Sequence, residues 1–223
     1  IRLEEPTSGS VNIRQENFLS LSGADLISSR QKIQMIFQDP FGSLNPSQTV
    51  GFMLMRSLEL QGEDPVEAKA RSLKLLQQVG LGDQAFNRKP RNFSGGQRQR
   101  IGIARALSMG PDVVVADECV SALDLSVQKQ VLLLLNDLQS TYKMAIIFIT
   151  HDLRVAAQVS DYITVMEKGK MVEFGTADDV FNRPKHDYTK RLLDAAPGKD
   201  WHPPRLDPKE AAEIAKSLEK SFS

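Results

Sequence analysis

Three short apolar runs constrain this chain more than any other feature: Ile33 to Phe37 (IQMIF), Val113 to Ala116 (VVVA) and Ala145 to Thr150 (AIIFIT). None shows the apolar–polar alternation of a strand with one wet face, and near-continuous runs are the pattern of strands covered on both faces by helices. Longer stretches with helical spacing separate them, so the order of elements predicts an α/β fold with a largely parallel sheet. Each run stops at a polar residue: Gln38, Asp117 with Glu118 behind it, and His151. Ligands of open parallel sheets sit beyond the carboxyl ends of the strands. Three strands ending in this way propose one shared site.

Between the first two runs, Val66 to Val79 carries apolar residues at 66, 73, 76 and 79 and then meets Gly80, which predicts a helix and its stop. After Asp124, Val127, Val131, Leu134, Leu135 and Leu138 recur on one helical face, as in a core helix. Thr164 to Val172 reads as a β-hairpin turning at Lys168-Gly169. The stretch APGKDWHPPRLDP breaks all periodicity. A last helix is expected beyond it, with Asp207 as cap and Ala211, Ile214, Ala215 and Leu218 as its apolar stripe.

Composition narrows the class. A chain of 223 residues with 41% hydrophobic and 25% charged residues is ordinary globular material for one large domain, or one domain and a tail. Lys plus Arg is 28 and Asp plus Glu is 28, a net charge of zero. Nucleic-acid binders usually carry a basic excess, so no nucleic-acid partner is expected. One cysteine, Cys119, forbids an internal disulfide or a four-cysteine metal site and suits a reducing compartment. The longest apolar runs, such as Val131 to Leu135, fall far short of the roughly 20 residues that span a bilayer.

Two segments carry chemistry. VVVADE is a buried strand delivering the adjacent carboxylates Asp117 and Glu118; one can hold magnesium while its neighbour orients an attacking water. Alone, the pair is as well explained by a wet loop after a strand. In FSGGQRQRIGIARAL, Phe93 to Leu107, Ser94 is a good helix cap, and Gly95 and Gly96 leave backbone N–H groups open to an anion at the positive end of the following helix. A capped helix after a glycine turn would explain SGG by itself, but not the unbroken GQRQR and IARAL that follow.

With these motifs in order, the chain resembles the ATP-binding cassette (ABC) ATPases of ABC transporters. Ser94-Gly95-Gly96-Gln97 is similar to that family's signature motif, Val113 to Asp117 with Glu118 to its Walker B strand and catalytic glutamate, and Ser121 to Asp124 to its D-loop. Gln38 stands where the Q-loop glutamine belongs and His151 where the switch histidine belongs. The segments MIFQDPFGSLNP, SALDLSVQKQVLLLLNDLQ and PKHDYTKRLLDAAP narrow the resemblance to the ATPase subunits of bacterial oligopeptide and dipeptide importers.

The resemblance implies a P-loop NTPase-like, mostly parallel sheet with a helical subdomain. Residues 1–38 and 111–192 would form the α/β core, 39–110 the helical signature subdomain and 193–223 a tail. It implies ATP and Mg2+, with Asp117 and Gln38 toward the metal, Glu118 as general base, and His151 and Gln38 at the γ-phosphate and attacking water. Ser94, Gly95, Gly96 and Gln97 would contact the γ-phosphate of nucleotide held by the opposite protomer, and Asp124 would be a further cofactor-binding residue. The implied partners are a second ATPase subunit, transmembrane permeases and, indirectly, an extracytoplasmic substrate-binding protein. The implied location is peripheral, on the cytoplasmic face of the bacterial inner membrane. A soluble non-transport ABC ATPase and a non-catalytic cassette kept for dimerisation are the alternatives.

The sequence departs from the family at several points. No G-x-x-x-x-G-K-[ST] run stands in it; the Gly-Lys pairs at 169–170 and 198–199 are followed by Met171 and Asp200. That loop cradles the β- and γ-phosphates and lies shortly before the family's equivalent of Ile1 to Val11, so an N-terminal truncation and weak or absent ATP binding are expected. Cys119 occupies the usual proline after the catalytic glutamate, Phe93 the usual leucine before the signature serine, and Asp187 the usual proline of the late motif. His186 and His202 are expected to serve structure or surface, and Trp201 to make an anchoring contact.

Overall fold

The computed structural model describes residues 1–13 and 15–195, and the predicted last helix, with Trp201 and His202, lies outside the described residues. In chain order the elements are β1 (Asn12–Ile13), β2 (Glu16–Asn17), α1 (Gly23–Gln31), β3 (Ile33–Ile36), α2 (Pro40–Ser43), α3 (Val50–Glu59), α4 (Pro65–Gln78), α5 (Gly95–Ser108), β4 (Val113–Asp117), α6 (Leu125–Tyr142), β5 (Ala145–Ile149), α7 (Leu153–Val159), β6 (Tyr162–Glu167), β7 (Lys170–Thr176), α8 (Ala177–Asn182) and α9 (Asp187–Ala195). The three apolar runs are β3, β4 and β5, and they form one parallel sheet in the order β3-β4-β5. Ile33 pairs with Val113 and Val113 with Ala145, so the strands start level and finish level. That register, set by the first residue of each run, brings Gln38, Glu118 and His151 to the same end of the sheet.

The helices take the sequence signals literally. Asp64 accepts the Val66 amide at 2.8 Å with Pro65 in the first turn of α4, and Asp124 accepts the Val127 amide at 3.0 Å at the start of α6. Gly80, at φ +70°, follows the end of α4 in a backbone conformation that suits glycine. The buried face of α4 is Ala68, Ser72, Leu75, Leu76 and Val79, while Val66, at the first turn, is 77% exposed. The predicted stripe is thus corrected at Val66: the helix enters from solvent and reaches the core two residues later, at Ala68. On α6 the buried set is Val131, Leu132, Leu133, Leu135 and Leu138, with Val127 and Leu134 partly buried, a wider face than the predicted one.

One continuous core joins the sheet to the helices that lie between β3 and β4. It runs from Ile36 through Val50 and Leu54 of α3, Leu75 and Leu76 of α4, and Ile101, Ile103 and Leu107 of α5 to Val114, Ala116, Val131, Leu138 and Val155. Truncating a fully buried leucine such as Leu54 or Leu76 to alanine would cost about 2–5 kcal/mol.

Coverage of the sheet differs from the expectation. On β4 and β5 the core side carries Val114, Ala116, Ile146 and Phe148, but Ile147 is 55% and Ile149 46% exposed. The β5 strand therefore alternates, with one face packed and the other uncovered among the described residues. The continuous apolar run states what the strand tolerates on both faces; helices among the described residues pack on only one.

The hairpin β6–β7 is antiparallel and turns at Lys168 and Gly169, at φ +51° and +77°, the backbone of a tight two-residue loop. Its far strand organises the late motif. The Glu173 carboxylate accepts the Lys185 and His186 amides at 2.8 and 3.0 Å, and His186 Nδ1 accepts the Tyr188 amide at 3.1 Å. His186 thus acts structurally, starting α9 and setting Thr189 into the interior.

Candidate active site

Glu118 is the first residue past β4, and its backbone is unusual: φ is +45°, in the left-handed region that a non-glycine residue enters at a cost of about 1–2 kcal/mol. Two sets of bonds hold it there. Its N–H donates to the Ile149 carbonyl at 3.0 Å, extending the sheet by one rung, and its carbonyl accepts from the Ser121 amide and hydroxyl at 3.0 and 2.9 Å. Backbone strain retained by surrounding bonds is a mark of functional positions.

The carboxylate is gripped at both oxygens. Gln38 Nε2 donates to Oε2 at 2.8 Å, and His151 Nδ1 lies 3.0 Å from Oε1. A carboxylate can only accept, so the proton of this bond sits on Nδ1 and leaves Nε2 facing outward. The hydrogen bond to Glu118, and then the attraction of its charge, raise the pKa of His151 above the ordinary 6.5. The His151 side chain is 73% exposed and that of Glu118 28%, so the pair opens to solvent at the strand ends.

Asp117 occupies the last rung of β4, paired in register with Ile149, and so belongs to the face that carries Val115, Ile147 and Ile149. Among the described residues, no group of three or more His, Cys, Asp or Glu side chains could hold a metal unaided. Magnesium is commonly bound by one or two carboxylates together with substrate phosphates. Asp117 and the Gln38 amide oxygen, hard donors at the same sheet end, fit that mode.

The Ser94–Gln97 turn starts α5. Ser94 Oγ accepts the Gln97 amide at 3.3 Å and Gln97 Oε1 accepts the Ser94 amide at 3.0 Å, a reciprocal cap. Both side chains are therefore engaged in starting α5, and the amides of Gly95 and Gly96 are the first-turn donors without an intrahelical acceptor. Gly96 must be small: a Cβ there would stand 2.3 Å from Val127 Cγ1 of α6. A Cβ on Gly95 would meet Leu123 Cδ2 at 3.8 Å.

Of the predicted residues, then, Gln38, Glu118 and His151 meet directly. Ser94, Gly95, Gly96 and Gln97 sit beside the segment holding Leu123 and Asp124, which leads back to Glu118 through Ser121. Asp124 caps α6 with its own carboxylate.

Sequence reasoning passed over two arginines of α5, although cations on an otherwise apolar helix face were the signal. Arg105 donates to the Ser43 carbonyl, tying the last turn of α5 to the segment after Gln38. Arg100 is buried against α4 and α6. Cys119 is inert packing: burial pushes its thiol up to about 12.

Solved structures identify the class. The dimeric ATP-binding cassette MJ0796, in a post-hydrolysis state bound to ADP and Pi, superposes with a TM-score of 0.69 at 29% identity over 78% of this chain and 76% of that one. The cassette cbiO1 of Clostridium perfringens, part of the ABC transporter complex cbiONQ, covers 97% of this chain and 78% of its own at a TM-score of 0.74 and 22% identity, which speaks for the fold alone. The fold is that of an ATP-binding cassette.

The family model for ABC transporter matches residues 1–121, and the chain belongs to that family. The dipeptide transport ATP-binding protein DppF of Escherichia coli is 43% identical over 215 residues, 96% of this chain and 62% of DppF. DppF of Haemophilus influenzae is 44% identical over 196 residues, 87% of this chain and 60% of that protein. The chain thus spans about three fifths of the length of these relatives.

Proposed function

We propose that this chain carries the catalytic residues of an ATPase subunit that drives peptide uptake of the oligopeptide or dipeptide type through partner permeases. The grip of Gln38 and His151 on the Glu118 carboxylate carries the reading. A base oriented at both oxygens and open to solvent at a sheet end suits abstraction of a proton from water. In the step, the water oxygen bonds to the γ-phosphorus as the bond to the bridging oxygen breaks, and Glu118 takes the proton. His151, with its outward Nε2, and Gln38 hold water and γ-phosphate in line.

Asp117 and Gln38 would hold Mg2+, which when bound neutralises charge on the phosphates. The open Gly95 and Gly96 amides at the positive end of α5 suit the phosphate of a nucleotide held by a second protomer. We assign 39–110 to a helical subdomain and 1–38 with 111–192 to the α/β core. Membrane attachment would be peripheral, through permeases at the cytoplasmic face; among the described residues no helix is long and apolar enough to cross a membrane.

The test joins a P-loop strand and helix from a peptide-importer relative ahead of Ile1 and measures phosphate release. Magnesium-dependent hydrolysis is expected, falling by about 100-fold or more in Glu118→Gln. Turnover unchanged by that substitution would remove Glu118 from the role of base.

A further inference from the structure

The signature helix α5 contains a buried cation that the catalytic reading does not use. Arg100 is 5% exposed, and its guanidinium donates to a backbone carbonyl and a side-chain amide oxygen rather than to a carboxylate. Nη1 donates to the Val79 carbonyl at the end of α4, at 3.1 Å, and Nη2 to Gln130 Oε1 of α6, at 3.0 Å. Burial lowers its pKa. An unpaired cation is an expensive way to fill space, and leucine or methionine would pack a helix seam without the desolvation.

What Arg100 offers that they do not is a planar fork able to hold two acceptors on different helices at once. The Val79 carbonyl lies at the negative end of α4, which partly replaces the missing counter-ion. One turn earlier on α5, at i−4, stands Gly96, whose missing side chain admits Val127. Val127 and Gln130 are themselves three apart on α6. The α5–α6 seam therefore includes two successive contacts, Gly96 against Val127 and Arg100 against Gln130. Its open end carries the Ser94–Gln97 turn on one helix and Asp124 on the other.

We propose that Arg100 is a positioning residue that fixes the signature turn relative to the start of α6, with Gln130 and the Val79 carbonyl as its two anchors. It touches neither nucleotide nor reacting atoms; it keeps the glycine amides and the Leu123–Asp124 segment at a set separation. The purpose of that spacing rests on the ATPase reading. The coupling itself does not, and the two fail separately: phosphate release tests the former and amide exchange the latter.

The experiment is residue-resolved native-state hydrogen exchange on the full chain. The probes are Gln97 and Arg98 at the start of α5, and Val127 and Gln128 at the start of α6, with β4 amides reporting global unfolding. All four probes are fixed by capping bonds to Ser94 or Asp124. In Arg100→Gln the four should exchange together about tenfold faster after correction for any change in β4, the loss of a charged hydrogen bond. Arg100→Lys, with a point charge in place of the fork, should restore only part of the protection. Gln130→Leu, on a partly exposed face of α6, should act in the same direction even if Arg100→Gln does not fold. Probes that change only in step with β4, in both Arg100→Gln and Gln130→Leu, or in Gln130→Leu alone where Arg100→Gln does not fold, would make Arg100 a packing residue and overturn the proposal.

Discussion

Gly96→Ala puts a number on the seam between α5 and α6. The added methyl would lie 2.3 Å from Val127 Cγ1, whereas carbon atoms in ordinary contact stand about 3.5–4.0 Å apart. More than an ångström of movement is needed. The obstacle is a β-branched side chain inside a helix, where one χ1 well dominates and turning away is costly. Overpacking of this kind costs about 1–3 kcal/mol. Replacing a helical glycine by alanine returns about 0.5–1 kcal/mol of backbone entropy. The net expectation is a destabilisation of about 0–2.5 kcal/mol, read from urea unfolding followed by circular dichroism.

The decisive comparison is the same substitution in a Val127→Ala background. With Cγ1 gone the clash disappears, and Gly96→Ala should become neutral or stabilising, giving a coupling of about 1–3 kcal/mol between the two sites. If Gly96→Ala stabilises with Val127 intact, or the coupling is below about 0.5 kcal/mol, the close approach of the two helices is wrong, and the packing argument for the signature turn fails with it.

Two further outcomes are expected. The His151 imidazole should titrate above 6.5 by NMR and return toward that value in Glu118→Gln. Because the folded value is the raised one, the stability this pair adds is full below pH 6.5 and is lost as the pH rises through the folded pKa; an unshifted His151 in the wild-type chain would contradict the contact. The 223-residue chain, which has no glycine-lysine phosphate loop, should bind ATP only at millimolar concentrations or above by calorimetry, and micromolar affinity would show that the amides of α5 or another surface suffice.

The elements themselves were written locally. Strand runs, the cap at Ser94, the Lys168-Gly169 turn and the polar stops after each strand are short-range signals, and each survives in the fold because backbone propensity and capping act over a few residues. The motif order also identified Gln38, Glu118 and His151, since a parallel sheet in level register must bring strand ends together.

What sequence could not supply was distance and coverage. Only tertiary structure joins Glu118 Oε1 to His151 Nδ1 and Oε2 to Gln38 Nε2, because those residues stand 33 and 80 positions apart in the chain and meet through the sheet. It alone turned Ile147 and Ile149 to solvent. It also gave Arg100, the second arginine of GQRQR, a buried place between two helices. Periodicity records which side of an element is apolar; packing, which depends on what other segments arrive at that side, decides whether it is covered.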